Sequence, residues 1–149
     1  MKKSDKSPKK NYYAKKIPFH IDDRAERYLD VFDDSFTGKD SMKGQINISY
    51  VNSTKHIVAW HKHEKQTDFW VCIKGSFKVG LSTGEKTEFL YITEREQRVI
   101  KIPPGVYHGY QALEPNSIML YYLSEKYDPS DEFRAKVGDF GEEWETENK

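Results

Sequence analysis

From Gln45 onward, apolar and polar positions alternate in short runs. Ile46, Ile48 and Tyr50 alternate with Asn47 and Ser49, and Phe77, Val79 and Leu81 repeat the same period of two. A period of two puts successive side chains on opposite faces of a strand and predicts half-buried β-structure. The runs His56–His61, Phe69–Ile73, Phe89–Ile92, Val99–Ile102, Tyr110–Leu113 and Ile118–Leu123 are rich in β-branched and aromatic residues. Turn residues separate them at Asn52-Ser53-Thr54, Lys74-Gly75-Ser76, Thr83-Gly84-Glu85, Pro103-Pro104-Gly105 and Glu114-Pro115-Asn116. Roughly eight short strands at about 8–12-residue spacing predict an all-β sandwich or barrel. Upstream, Arg27–Phe32 is expected as a short strand, and Tyr12, Tyr13, Ile17 and Phe19 predict an arm that docks as one. Helix is expected only as a short piece after Asp128-Pro129-Ser130.

The chain has 149 residues, a length that suits one domain. Its formal net charge is zero, from 24 Lys+Arg against 24 Asp+Glu. The zero hides an uneven distribution. Residues 1–19 carry seven lysines and one aspartate; residues 139–149 carry five acids and one lysine. Both ends read as solvated, a basic N-terminal arm and an acidic C-terminal tail, leaving residues 20–138 as the folded domain. Zero net charge gives no argument for a nucleic-acid partner or an anionic membrane. No apolar run approaches the ~20 residues of a membrane span, and the start leads into no apolar signal segment. Cys72 is the only cysteine, which rules out an intrachain disulfide and a cysteine-rich zinc site. A cytoplasmic location is the expectation.

The chemistry concentrates in the histidines. His61 and His63 stand two apart in a predicted strand, so both are expected on one face, with small Ala59 beside them and Trp60 and Lys62 opposite. Asp68 opens the next strand, and His108 follows the turn at Pro103-Pro104-Gly105. Two imidazoles on one face plus a third after a re-entrant turn point to a functional pocket. Imidazoles with a carboxylate suit a first-row divalent metal. The alternative is a pocket that uses the same residues on a sugar without metal.

These spacings resemble the two cupin motifs: His61-Lys62-His63 with Asp68 and Gly75, then Pro103-x-Gly105-x-x-His108. The resemblance implies an all-β cupin double-stranded β-helix, or jelly roll, and makes His61, His63, Asp68 and His108 the candidate metal set, since metal cupins bind one ion with three histidines and a carboxylate. Within the cupins, residues 20–130 resemble the dTDP-4-dehydrorhamnose 3,5-epimerase family. Asp23-Arg24-Ala25, Gln45-Ile46-Asn47-Ile48-Ser49, Val58-Ala59-Trp60-His61 and Ile102-Pro103-Pro104-Gly105-Val106-Tyr107-His108-Gly109-Tyr110 carry it. Tyr121 and Tyr127 match two family tyrosines at the same separation. The run His61-Lys62-His63-Glu64-Lys65-Gln66-Thr67-Asp68-Phe69 is also similar to the sugar 3,4-ketoisomerases and shorter epimerase-like cupins.

The resemblance implies catalysis by His61 as base, Tyr121 as proton donor, and His108. It implies substrate contacts from Arg24, Gln45, Asn47, His63, Asp68 and Tyr127. It implies a nucleotide-sugar substrate, a 4-keto deoxysugar, no required cofactor, and a homodimer that lends an N-terminal strand across its interface. Three departures separate the chain from the epimerase pattern. Asp68 aligns with the family's enolate-stabilising lysine, Val58 replaces an arginine, and the family's histidine-orienting aspartate lies in a C-terminal extension beyond residue 149. Three readings therefore stay open: a sugar epimerase or isomerase, a metal-dependent cupin enzyme, and an inert sugar-nucleotide binder.

Overall fold

The computed structural model describes residues 13–38 and 43–145. Ten strands form two five-stranded antiparallel sheets. In chain order the first strands are β1 (Tyr13–Lys16), β2 (Phe19–Ile21), β3 (Glu26–Tyr28), β4 (Gln45–Val51), β5 (Ile57–Lys62) and β6 (Asp68–Lys74). Then come β7 (Ser76–Ser82), β8 (Thr87–Thr93), β9 (Arg98–Ile102), β10 (Tyr107–Ala112), β11 (Ser117–Leu123) and β12 (Phe133–Arg134). One sheet runs β1-β9-β6-β11-β4 and the other β12-β5-β10-β7-β8, while β2 and β3 make a separate hairpin. The all-β jelly-roll expectation holds.

The core lies between the sheets. Trp70, Phe77, Val79, Leu81, Ile100 and Met119 are each no more than 5% exposed and pack into one cluster. Burying an aliphatic or aromatic side chain of this size contributes about 1.5–3 kcal/mol. A second cluster covers part of the outer face of the first sheet. There Ile17, Phe36, Phe69, Val71, Val99 and Tyr122 pack together.

Four expectations need correction. In β4 the apolar residues face outward, with Ile46 and Ile48 at 52% and Tyr50 at 70% exposure. Asn47 lines the cavity between the sheets, and Ser49 bonds to Tyr121 on the same side. The alternation is as expected but its sense is inverted, because this interior is a polar cavity. Second, the strand expected over Arg27–Phe32 stops at Tyr28, and a short helix α1 (Asp34–Thr37) follows, capped by the Asp33 carboxylate accepting from the Ser35 N–H.

Third, the start of the acidic tail is packed, not solvated. Trp144 is 3% exposed and lies against Trp60 and Phe89, with ring centroids 5.3 and 4.9 Å apart. Phe140 packs on Trp60 and Tyr107. The buried Lys78 ammonium donates to the Trp144 carbonyl at 2.8 Å. Gly80 makes the seat: a Cβ there would fall 2.6 Å from Trp60 and 2.8 Å from Trp144. This cover is why β7 is buried along its whole length. Fourth, the described end of the basic arm is not a solvated tail: it docks as a strand, as Tyr13 led one to expect. β1 pairs with β9 of the same chain, and Lys15 pairs with Asp33. The expectation that rested on Tyr12 lies outside the described residues.

Candidate active site

A cavity of about 230 Å³ opens between the two sheets. Of the residues expected at the site, His61, His63, Asp68, His108, Asn47, Tyr121 and Tyr127 all line it. Gln45 stands just behind the wall. Its Oε1 accepts from the Tyr127 N–H at 2.9 Å and its amide donates to Asn47 Oδ1 at 3.1 Å. Arg24 is not brought to the cavity. It sits between β2 and β3, exposed, with its guanidinium 2.8 Å from Asp22.

The His-x-His pair is delivered by β5, with one local correction. His108 pairs with His61, but Tyr110 pairs with Val58, so β5 carries one extra residue against β10. This bulge re-aims the strand. Val58, not Ala59, shares the cavity with His61. Gly109 is what permits the close approach, since a Cβ there would lie 2.4 Å from the Ala59 Cβ. Beyond the bulge the expectation holds: Lys62 turns outward over the Tyr107 and Phe133 rings while His63 enters the cavity.

Each imidazole is fixed through Nδ1. His61 Nδ1 lies 3.0 Å from Glu132 Oε1, His63 Nδ1 is 2.8 Å from the Asp131 carbonyl, and His108 Nδ1 is 3.1 Å from the Val106 carbonyl. Carbonyl and carboxylate oxygens only accept, so Nδ1 carries a proton in each ring, and Nε2 is the nitrogen that holds the lone pair when the ring is neutral. Burial pushes His108 down to about 4, against the pull of Asp68, so the ring is neutral near pH 7. Asp68 accepts from the Gln66 amide at 2.6 Å and from the Trp70 indole at 3.2 Å, and its Oδ2 lies 3.6 Å from His108 Nε2. On the facing wall the Tyr121 hydroxyl lies 3.1 Å from Ser49 Oγ. Burial raises Tyr110 above the ordinary phenol value.

Glu132 is the residue that sequence reasoning missed. The orienting carboxylate was sought beyond the chain's end, yet it stands five residues after Tyr127, beside a short 3-10 turn (Pro129–Asp131). Burial works to raise Glu132, but the bond from His61 and the nearby Arg134 hold it below the usual glutamate value. Its other oxygen accepts from the Tyr127 hydroxyl at 3.3 Å. The acidic pair Asp131-Glu132 following Asp128-Pro129-Ser130 offered no signal of its own. Trp70, in the Phe69–Ile73 strand run, also reaches the cavity.

The candidate metal set divides. Ligand atoms of His63, Asp68 and His108 lie within 4.8 Å of one another, and all three residues are buried. His61 stands outside that group, its ring 6.5 Å from that of His108 and its Nδ1 on Glu132. Two imidazoles and a carboxylate fit a divalent first-row ion, which would supply positive charge at the cavity floor. Among the described residues, no lysine or arginine lines the cavity.

A two-sheet jelly roll with a histidine-lined cavity between its sheets is a cupin. More narrowly, the chain belongs to the family described as "FdtA: WxcM-like, C-terminal", whose profile matches residues 16–142. It is 32% identical over 146 residues to the "Spore coat polysaccharide biosynthesis protein SpsL" of Bacillus subtilis, covering 90% of this chain and 95% of that one. It is 39% identical over 90 residues to the "Probable low-salt glycan biosynthesis epimerase Agl13" of Haloferax volcanii. That match spans 53% of this chain and only 56% of its relative. In fold it is similar to the rmlC epimerase of Mycobacterium tuberculosis, with a TM-score of 0.79 at 19% identity over 90% of this chain and 74% of that one. It is also similar to a 3,4-ketoisomerase from Helicobacter canadensis, with a TM-score of 0.72 at 14% identity, covering 87% and 93% of the two chains.

The state of His108 makes a stability prediction. The unfolded chain takes up its proton near pH 6.5, whereas the folded chain refuses it until about pH 4. Stability contributed by the neutral buried ring is therefore complete above the unfolded value and is lost as pH falls through that window, by roughly 3 kcal/mol. Urea unfolding at a series of pH values should show this fall, and His108→Gln should flatten it. Parallel pH profiles for the two proteins would refute the assignment.

Proposed function

We propose that the chain is a cytoplasmic epimerase or ketoisomerase of a nucleotide-linked 4-keto deoxysugar, working in cell-surface glycan synthesis. One observation carries the reading: His61, held through Nδ1 by Glu132, and the Tyr121 phenol line a single cavity from different sheets. The relatives support it, since they are a glycan epimerase and a polysaccharide biosynthesis protein by description.

The chemistry follows from the groups. A ketone acidifies the neighbouring C–H bonds. His61, with Nδ1 held by Glu132, takes a proton from one face of the sugar through Nε2, acting as the general base. Charge then develops on the ketone oxygen and needs donors aimed at it. Tyr121 returns a proton. Donors on two faces invert a carbon; return of the proton on the same face, at the neighbouring carbon, shifts the ketone instead.

No cofactor is required in this scheme. A second reading, a divalent ion on His63, Asp68 and His108, draws on the three buried acceptors that converge there. The protein is proposed to act as a homodimer through the outward apolar row of β4, Ile46, Ile48 and Tyr50, which lies on the sheet edge.

Solvent deuterium should enter the sugar ring when the protein meets a panel of 4-keto nucleotide sugars in D2O. His61→Ala should slow that exchange by about 10²–10⁴-fold. Absence of exchange across the panel, with tight binding, would leave an inert binder. Elemental analysis of untagged protein decides the metal reading: a fully active, metal-free preparation removes it. Sedimentation velocity should give a dimer that Ile48→Glu converts to monomer; a monomeric parent protein would defeat the dimer proposal.

A further inference from the structure

The scheme above leaves two hydroxyl groups beside Tyr121 unused, those of Ser49 and Tyr110. In the pairing of β4 with β11, Ser49 stands opposite Met119 and Tyr121 opposite Asn47, which makes Ser49 and Tyr121 diagonal neighbours on one sheet face. Their hydroxyl oxygens lie 3.1 Å apart. The Tyr110 phenol comes from β10 in the other sheet and is hydrogen-bonded with the same serine. One serine therefore joins two phenols, and the three hydroxyls bridge the sheets. Both phenols line the cavity.

The Tyr110 ring is held in place. It lies edge-on to Trp70 and Phe77, with centroids 5.7 and 5.5 Å away, and Trp70 is itself fixed by its indole bond to Asp68 at 3.2 Å. A serine hydroxyl has one proton, so it can donate to only one phenol at a time and accepts from the other. Burial raises Tyr110, charge on Tyr121 raises it further, and the bond with Ser49 works against both. Tyr110 is thus the phenol that keeps its proton, which orders the chain: Tyr110 donates to Ser49, and Ser49 donates to Tyr121. The proton of Tyr121 is then left free for the cavity. Among the described residues no lysine or arginine lines that cavity, so these neutral hydroxyls are what a Tyr121 phenolate has to draw on.

We propose that Ser49 and Tyr110 are positioning residues for Tyr121: their hydroxyls form a donor chain that turns the Tyr121 proton to the sugar and stabilises the phenolate when that proton leaves. The proposal rests on the epimerase reading, with inversion of a carbon as the reaction. The step balances. The Tyr121 O–H bond breaks, and a C–H bond forms on the sugar face away from His61. The phenolate oxygen accepts from Ser49, whose own oxygen accepts from Tyr110, and the linked bonds strengthen one another as the charge grows. Solvent then restores the Tyr121 proton and takes the one that His61 holds.

One part of the test needs no sugar. In protein carrying 13C at the tyrosine Cζ, Phe variants assign the Tyr110 and Tyr121 signals, and Ser49→Ala should move both. Tyr110→Phe should move the Tyr121 signal when Ser49 is present and leave it in place when Ser49 is replaced by alanine. Tyr91→Phe, on the exposed outer face, should move neither. With an exchanging sugar in D2O, exchange without inversion reports on His61 alone, whereas inversion reports on Tyr121 as well. Ser49→Ala should slow inversion by about 10²–10³-fold, the scale of a lost donor to developing charge. Tyr110→Phe should slow it roughly two- to tenfold, the worth of one neutral hydrogen bond. Exchange without inversion should keep its parent rate in both variants with KM unchanged, and Ser49→Thr should recover part of the inversion. A Tyr121 signal indifferent to Tyr110→Phe, exchange and inversion slowed alike, or a ketone shift with no inversion would overturn the donor chain. The stated signal changes with no turnover of any sugar would support the chain and count against the sugar reading alone.

Discussion

His63, Asp68 and His108 are each less than a tenth exposed, and a buried polar group left without a partner costs about 1–3 kcal/mol. Three such groups meet on one cavity floor. Their satisfaction is what the surrounding structure has to provide. The Val106 carbonyl serves His108, the Asp131 carbonyl serves His63, and Gln66 with Trp70 serves Asp68. Val106, Gln66 and Trp70 each stand two residues from the group they serve, and Asp131 alone reaches its histidine from a distant segment. The Asp131 bonds couple the turn after β5 and the segment leading to β12 into one hydrogen-bonded unit.

That coupling explains which parts were legible in the sequence. Strand positions were visible because a period of two survives wherever one face is covered, and the histidines were visible because His61, His63 and His108 sit at fixed offsets from turn residues. The sense of burial in β4 was not visible in the hydrophobic pattern, although the family resemblance assigns Asn47 to the cavity side. Ile46 and Ile48 would face inward in an ordinary sandwich, but here a polar cavity takes the inner face and Asn47 and Ser49 turn to it. The exchange of Ala59 for Val58 at the cavity was also hidden. It depends on a bulge whose trace in the sequence is Gly109, on the partner strand, fifty residues away.

The C-terminal segment was misjudged for a related reason. Its five acids between residues 139 and 149 suggest a solvated tail. Glu142, however, spends its charge locally, accepting the N–H groups of Gly138 and Phe140 and the Trp144 indole. An acidic run that caps its own turns can lie flat, and two aromatic side chains are enough to seat it on the Trp60 face. Net charge measures how many acids a segment has, not whether they point away from the fold.

Electrostatics narrows the chemistry further. With no lysine or arginine lining the cavity among the described residues, charge that develops on a ketone oxygen has only neutral donors or a bound cation to meet it. Gln66 and Trp70 already donate to Asp68, and the Tyr121 hydroxyl shares a hydrogen bond with Ser49. The Tyr127 hydroxyl donates to Glu132 and Tyr110 is hydrogen-bonded with Ser49, so the Asn47 amide is the neutral donor that lines the cavity beside them. Burial holds Tyr110 above the ordinary phenol value, and the charge on Glu132 does the same for Tyr127, so both keep their protons near neutral pH. Neutral donors stabilise an enolate less than a cation does, so the barrier must be lowered instead by the base that starts the reaction. In the proposed reaction, a histidine held through Nδ1 by a half-buried carboxylate is the group suited to do so, and the proposal therefore rests most heavily on His61 and Glu132.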